Sequence, residues 1–235
     1  MKGNAMTRNL KTLHLLVGAL LVLLGLMAQA ANAHTPARFT TEQELTTIRG
    51  VHDPGTAETT ISITGSTVHC EIEEFHVETV GKSFESIGLV PTYTQCQAFG
   101  LMNGKITGFG HYGEAVEGAG PYCFYSLKAS GKIDLVCPAG KEVTIEVGTV
   151  CIAHLPSQAN LGTIQYTTGL KDGKHDLTID VNLTAITVTH TDGLGCPFAG
   201  SGEVSNATMT GKWTFWGQDP TSGAAVGITW DATVA

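Results

Sequence analysis

Either side of Asp172-Gly173, apolar residues fall at every second position. Asp-Gly is the signal of a two-residue type I′ turn, whose twist suits two antiparallel strands. Setting Lys171 opposite Lys174 pairs Thr168 with Leu177, Tyr166 with Ile179 and Ile164 with Val181. In that register every apolar side chain lands on one face, and a slip of one residue would turn them all towards water. A second hairpin turns over residues 128–132 and sets Leu127 against Ile133, Tyr125 against Leu135 and Cys123 against Cys137. A chain carrying two such registers is committed to antiparallel sheet.

The same period runs elsewhere. Val68, Cys70 and Ile72 share a face, then the phase slips and Phe75 and Val77 take it over. One extra residue at Glu73-Glu74, a β-bulge, keeps both sets on the core side. Further strands are predicted near 39–48, from Thr59, over 89–99, and around 183–190, 203–210, 212–216 and 226–230. Residues 100–120 hold seven glycines and read as irregular loop with at most short edge strands. No segment beyond residue 33 keeps a 3.6-residue period over ten residues. The fold class expected is all-β, an antiparallel β-sandwich or barrel.

Residues 1–33 read differently from the rest. Lys2, Arg8 and Lys11 precede an apolar run from Leu15 to Met27, and Ala31-Asn32-Ala33 supplies a small-x-small cut site. This is the pattern of a cleaved signal peptide. A single secreted β domain over 34–235 is expected to follow, with no membrane span in the mature chain. Removing the leader leaves ten of the 13 bases against all 21 acids. That balance argues against nucleic acid, whose phosphates are held by Lys and Arg.

All six cysteines lie beyond the leader, and export would place them where disulfides persist. The second hairpin sets Cys123 opposite Cys137. A turn near Ser83 sets Val77 against Leu89, and extending that pairing brings Cys70 near Cys96. Cys151 and Cys196 then pair by elimination. The expected fold is therefore stapled by three disulfides.

The runs Pro91-Thr92-Tyr93-Thr94-Gln95-Cys96-Gln97-Ala98-Phe99-Gly100, Asp134-Leu135-Val136-Cys137-Pro138-Ala139-Gly140 and Gly195-Cys196-Pro197-Phe198 carry a resemblance. Over roughly residues 60–217 the chain resembles a group of exported six-cysteine, β-rich bacterial proteins, mostly from high-GC Gram-positive lineages. No activity is known for that group. The resemblance implies secretion and a disulfide-bonded β fold, and carries no catalytic role.

The motifs of known chemistry do not occur. There is no G-x-S-x-G elbow, no H-E-x-x-H helix, no phosphate loop and no C-x-x-C pair. The reading therefore leans away from an enzyme, with no catalytic residue, cofactor or metal assigned. Three constellations remain. His69, Glu71, Glu74, His76 and Glu78 could share a cation along one strand face, but read more simply as a solvated face of an acidic protein. His111, Glu114 and Glu117 form an acid–base group on a Gly-rich loop without a positioned partner. Trp213, Trp216 and Trp230, all the tryptophans of the chain, are the candidate ligand-binding residues; exposed rings on a β face stack on sugars, and buried ones build a core. The function expected is a secreted, non-enzymatic protein of the cell envelope or extracellular space that acts by binding or structural interaction, with an envelope polymer or glycan as partner. The alternatives are a carbohydrate- or other ligand-binding module and, behind it, an extracellular hydrolase.

Overall fold

The computed structural model describes residues 36–44, 47–51, 58–78, 81–98, 100, 102–110, 122–148, 151–171, 173–191, 196, 198, 202–219 and 221–232. The leader and its cut site lie outside them. Pro36–Ala232 form one compact unit, and among the described residues it is all strand, turn and loop, without a helix.

β1 (Arg38–Thr41), β2 (Thr47–Val51) and β3 (Glu58–Ile63) come first. β4 (Ser66–Glu78), β5 (Ser83–Phe84), β6 (Ser86–Ala98), β7 (Met102–Thr107) and β8 (Phe124–Lys128) follow. β9 (Lys132–Val136), β10 (Val143–Val147), β11 (Cys151–Leu155), β12 (Gly162–Lys171) and β13 (Lys174–Thr191) lead on to β14 (Gly202–Gln218), β15 (Ala225–Val226) and β16 (Ile228–Asp231). Every pairing between these strands is antiparallel.

Followed around the ring, the strands are eight staves in chain order. β2 and β3 share one stave, β4 and β6 are whole staves, and β7 with β8, β9 with β10 and β11 with β12 are staves each made of two pieces. β13 comes next, and β14 closes back onto β2 and β3. This is an up-and-down barrel. At eight strands its interior is just wide enough to be filled by side chains or to hold one small ligand. Of the two architectures the sequence left open, the barrel is the one formed.

Both hairpin registers are as the sequence reads. Lys171 faces Lys174, with Tyr166 on Ile179 and Ile164 on Val181; Leu127 faces Ile133 and Tyr125 faces Leu135. Val77 faces Leu89. The expected bulge appears between Ile72 and Glu74, and a second irregularity between His69 and Glu71 offsets it, with Gln95 at φ +48°. The two slips cancel, so Cys70 meets Cys96 with Cα atoms 4.0 Å apart. Cys123–Cys137 and Cys151–Cys196 are the other disulfides.

Four expectations are corrected. Residues 102–107 are not loop: β7 pairs β6 on one side and β10 on the other, because Gly104 faces inward where a Cβ would stand 3.3 Å from that of Cys96. The glycine makes room for a disulfide rather than breaking the strand. The 183–190, 203–210 and 212–216 segments belong to two long strands, β13 and β14. Gly211 interrupts nothing, since its missing Cβ leaves space for the Trp213 indole, whose Nε1 a Cβ would approach to 2.8 Å. The 39–48 segment is two strands, with β1 pairing β16 and β2 pairing β14. The 226–230 segment is also two, β15 on β14 and β16 on β1.

The core fills the barrel. Ile61, Val68, Ile72, Phe75, Leu89, Leu127, Ile179, Val181 and Trp213 are all within 3% of full burial. One end is closed by a small sheet, β16-β1-β5. Its Phe39 stands edge-on to Tyr166 with ring centres 4.9 Å apart. The outward faces are polar: Asp180, Asn182, Thr184 and Thr189 on β13 and Asn206, Thr210 and Lys212 on β14 are exposed. A membrane barrel carries its apolar band on that outer surface, so the faces here are the reverse.

Candidate functional site

Beside β6 the ladder of the barrel wall is interrupted. The pairing of β6 with β8 runs from Ser86 to Leu89 and stops. Two residues further on, the same register would set Pro91 opposite Cys123. Proline has no N–H to give to a ladder. The Cys123 N–H turns instead to the Gly108 carbonyl, at 2.8 Å. Pairing of β6 with β7 resumes only at Gln97 and Asn103. Between Pro91 and Gln97 that edge of β6 makes no ladder pairing among the described residues.

Gly108 ends β7 for a steric reason. Its φ is +99°, and a Cβ there would lie 2.3 Å from the Glu142 carbonyl oxygen. The chain leaves the ladder at this point, passes Phe109 and Gly110, and returns at Tyr122. Gly110 lets the Tyr122 ring lie close, since a Cβ would sit 3.3 Å from its Cδ2. The Cys123–Cys137 disulfide fixes the returning strand to β9.

The result is a cavity of about 370 Å³ in the wall, within the size range of small-molecule sites. Its apolar lining is Pro91, Tyr93, Ile106, Phe109 and Tyr122, and its polar lining is Thr92, Lys105 and Thr107. Lys105 is the one charged residue among these. Behind the floor an aromatic column crosses the core. Tyr93 packs on Phe109 at 5.7 Å, Phe109 on Tyr125 at 5.1 Å, Tyr125 on Trp213 at 6.3 Å and Trp213 on Phe75 at 5.7 Å.

The column carries buried polar ends. Trp213 Nε1 donates to Thr59 Oγ1 at 3.1 Å, and the Tyr125 hydroxyl donates to Met209 Sδ at 3.6 Å. The Tyr93 hydroxyl is fully buried and makes no bond of hydrogen-bond geometry, although Tyr125 and Thr59 lie close enough to act on its charge. Burial, and then the Tyr125 hydroxyl, push the Tyr93 pKa well up. Burial pushes Tyr125 up to about 12.

A second depression, about 260 Å³, lies on the outer face of β3, β4 and β6. Glu58, His69, Glu71, Gln95 and Gln97 line it, with no Phe, Tyr or Trp among these. Gln95 Nε2 donates to Glu71 at 2.7 Å, and His69 Nδ1 is 2.9 Å from the neighbouring Thr60 hydroxyl.

The sequence-derived candidates are dispersed. Trp213 is fully buried in the core column. Trp230 is half-buried on the capping sheet, against Tyr166 at 5.6 Å, with Nε1 on the Ala129 carbonyl at 2.9 Å. Trp216 is half-buried and, three residues from Trp213 along one strand, faces the opposite side. The three do not form one platform. The His–Glu stripe is not one solvated face either. His69 is exposed, but His76 is buried opposite Val90, itself buried, so this part of the outer surface is covered. Among the described residues no group of three or more His, Cys, Asp or Glu is placed to hold a metal. The Glu78 side chain and the His111, Glu114 and Glu117 loop lie outside the described residues.

Sequence reasoning missed Tyr93, Lys105, Ile106, Phe109 and Tyr122. The available signal was a proline inside an alternating strand, which marks an edge, followed by Gly108 and Gly110 bracketing an aromatic residue. No protein-family model, no curated protein and no solved structure matches the chain.

Proposed function

We propose that the protein is an exported, non-enzymatic binding protein of the cell envelope or extracellular space, and that it binds a small apolar ligand at the opening beside β6. The observation that carries this reading is the broken stave. The wall is interrupted where a proline, two close-packed glycines and three aromatic rings leave a cavity. Three disulfides suit an oxidising compartment. The leader pattern in residues 1–33 and the resemblance to exported proteins of high-GC Gram-positive bacteria support export.

A glycan-binding module is the reading this displaces. Its basis was the tryptophans, and they occupy three separate settings. The test is a thermal-shift screen of the exported, oxidised protein against small ring compounds and soluble envelope glycans. A ligand at 100 times its Kd stabilises by about 2.7 kcal/mol, which is readily seen. Ring compounds should raise the melting temperature, and Thr107→Trp, which fills the opening, should abolish the shift. Stabilisation by glycans that is indifferent to Thr107→Trp would overturn the proposal in favour of the glycan reading.

A further inference from the structure

We propose that the opening beside β6 takes a small aromatic monocarboxylate, its ring laid among Tyr93, Phe109 and Tyr122 and its carboxylate on the Lys105 ammonium. The inference rests on the opening being a binding site and goes further, to the class of molecule.

The first argument is charge. The chain carries −8 overall, yet the described residues that line the opening include one cation and no acid. Lys105 is exposed and, among the described residues, makes no ion pair. Glu146 faces it in register across the β7–β10 ladder, but no salt bridge joins the two. The ammonium is therefore placed to meet an anion at the rim of an apolar cavity.

The second argument is shape. Tyr93 and Phe109 stand with ring planes 54° apart and centres 5.7 Å apart. They form an angled floor that suits the edge and face of a planar guest. Tyr122 is held close over Gly110, and it and Ile106 add to the apolar lining. The volume of about 370 Å³ admits a one- or two-ring molecule and excludes a polymer chain from the interior. Thr92 and Thr107 are on the lining, and a threonine hydroxyl can donate to the second carboxylate oxygen.

The experiment measures calorimetric binding of 1-naphthylacetate and of its neutral counterpart 1-naphthylacetamide to the exported, oxidised protein. The acid should bind at least tenfold more tightly than the amide. Lys105→Gln should bring the acid down to the amide's affinity and leave the amide unchanged. Thr107→Trp, and independently Thr92→Trp should the first variant fold poorly, should abolish binding of both. Equal affinities, insensitive to Lys105→Gln but abolished by the tryptophan variants, would overturn the carboxylate assignment and leave the opening as a site for neutral rings. Absence of binding by either compound, or binding that survives both tryptophan variants, would overturn the opening itself as the site.

Discussion

β13 keeps β12 beside it from Lys171–Lys174 to Gly162–Leu183 without a slip, whereas β6 loses β8 after Leu89. The two regions belong to one wall and are made of comparable strands. The difference lies in a few residues. The β12–β13 pair has an Asp-Gly turn, no proline, and buried apolar side chains in alternation, Ile164 and Tyr166 on one strand and Leu177, Ile179, Val181 and Leu183 on the other. The β6 side has Pro91 where an N–H was needed, Gly108 where the chain must swing out, and Gly104 where a disulfide crowds the interior. A wall closes when each residue can both donate and alternate, and it opens where donors are removed and aromatic rings take the space.

That contrast can be broken most severely at Trp213. It stands on the continuous side, on β14, yet carries the aromatic column to the opening. Trp213→Ala removes a fully buried indole and its bond to Thr59, and is expected to cost about 3–5 kcal/mol. Urea unfolding should show this as a lower midpoint with an unchanged slope. A loss below 1 kcal/mol would mean that the column does not tie the two regions together.

The disulfides sharpen the contrast locally. Replacing Cys123 and Cys137 by Ala opens a 14-residue loop, worth about 3 kcal/mol on chain-entropy grounds. Hydrogen exchange should quicken at the backbone amide of position 123, which donates to the Gly108 carbonyl at the rim of the opening, while β12 and β13 stay protected. Uniform acceleration across both regions would show that the rim has no independent stability. Removing Cys151–Cys196, which closes a 45-residue loop, should cost about 4 kcal/mol.

Alkali probes the same division. Burial raises the pKa of Tyr93, Tyr125 and Tyr166 above the ordinary phenol value. Above pH 10 the unfolded chain releases these protons and the folded barrel does not, so unfolding gains. Stability conferred by the neutral phenols is complete below pH 10 and declines as pH rises above it, by about 1.4 kcal/mol per pH unit for each tyrosine. An absorbance titration at the phenolate band should show these groups ionising together with unfolding. Early, reversible ionisation of Tyr93 would mean that water reaches its hydroxyl through the opening.

Most of the continuous wall was legible in the sequence. The registers of Tyr166 on Ile179 and Tyr125 on Leu135 followed from alternation and turn residues, which are local. The second of these registers gave Cys123–Cys137, the pairing of Val77 with Leu89 gave Cys70–Cys96, and Cys151–Cys196 followed by elimination. The opening was not legible, because its meaning depends on what Gly104 and Gly108 touch: a cysteine Cβ and a carbonyl oxygen from other strands. A glycine required by a close approach looks, in sequence, the same as one that marks a loop. Trp213 and Trp216 show the same limit. Alternation placed them on opposite faces, but only the closed ring decides that one of those faces is the interior.

The smallest expected effect tests the finest point of the comparison. On the continuous side the buried indole N–H of Trp213 is bonded, whereas at the opening the Tyr93 hydroxyl is buried without a bond. An unsatisfied buried hydroxyl costs desolvation and returns little. Tyr93→Phe deletes it while keeping the ring on Phe109, so the variant should be neutral or more stable, by up to about 1 kcal/mol. Thr59→Val, which strands the Trp213 N–H, should be less stable by about 1–3 kcal/mol. Paired urea melts of the two variants decide the matter. If Tyr93→Phe loses more than about 1 kcal/mol, the hydroxyl is bonded after all, and the two regions differ in their ladders but not in how their buried polar groups are satisfied.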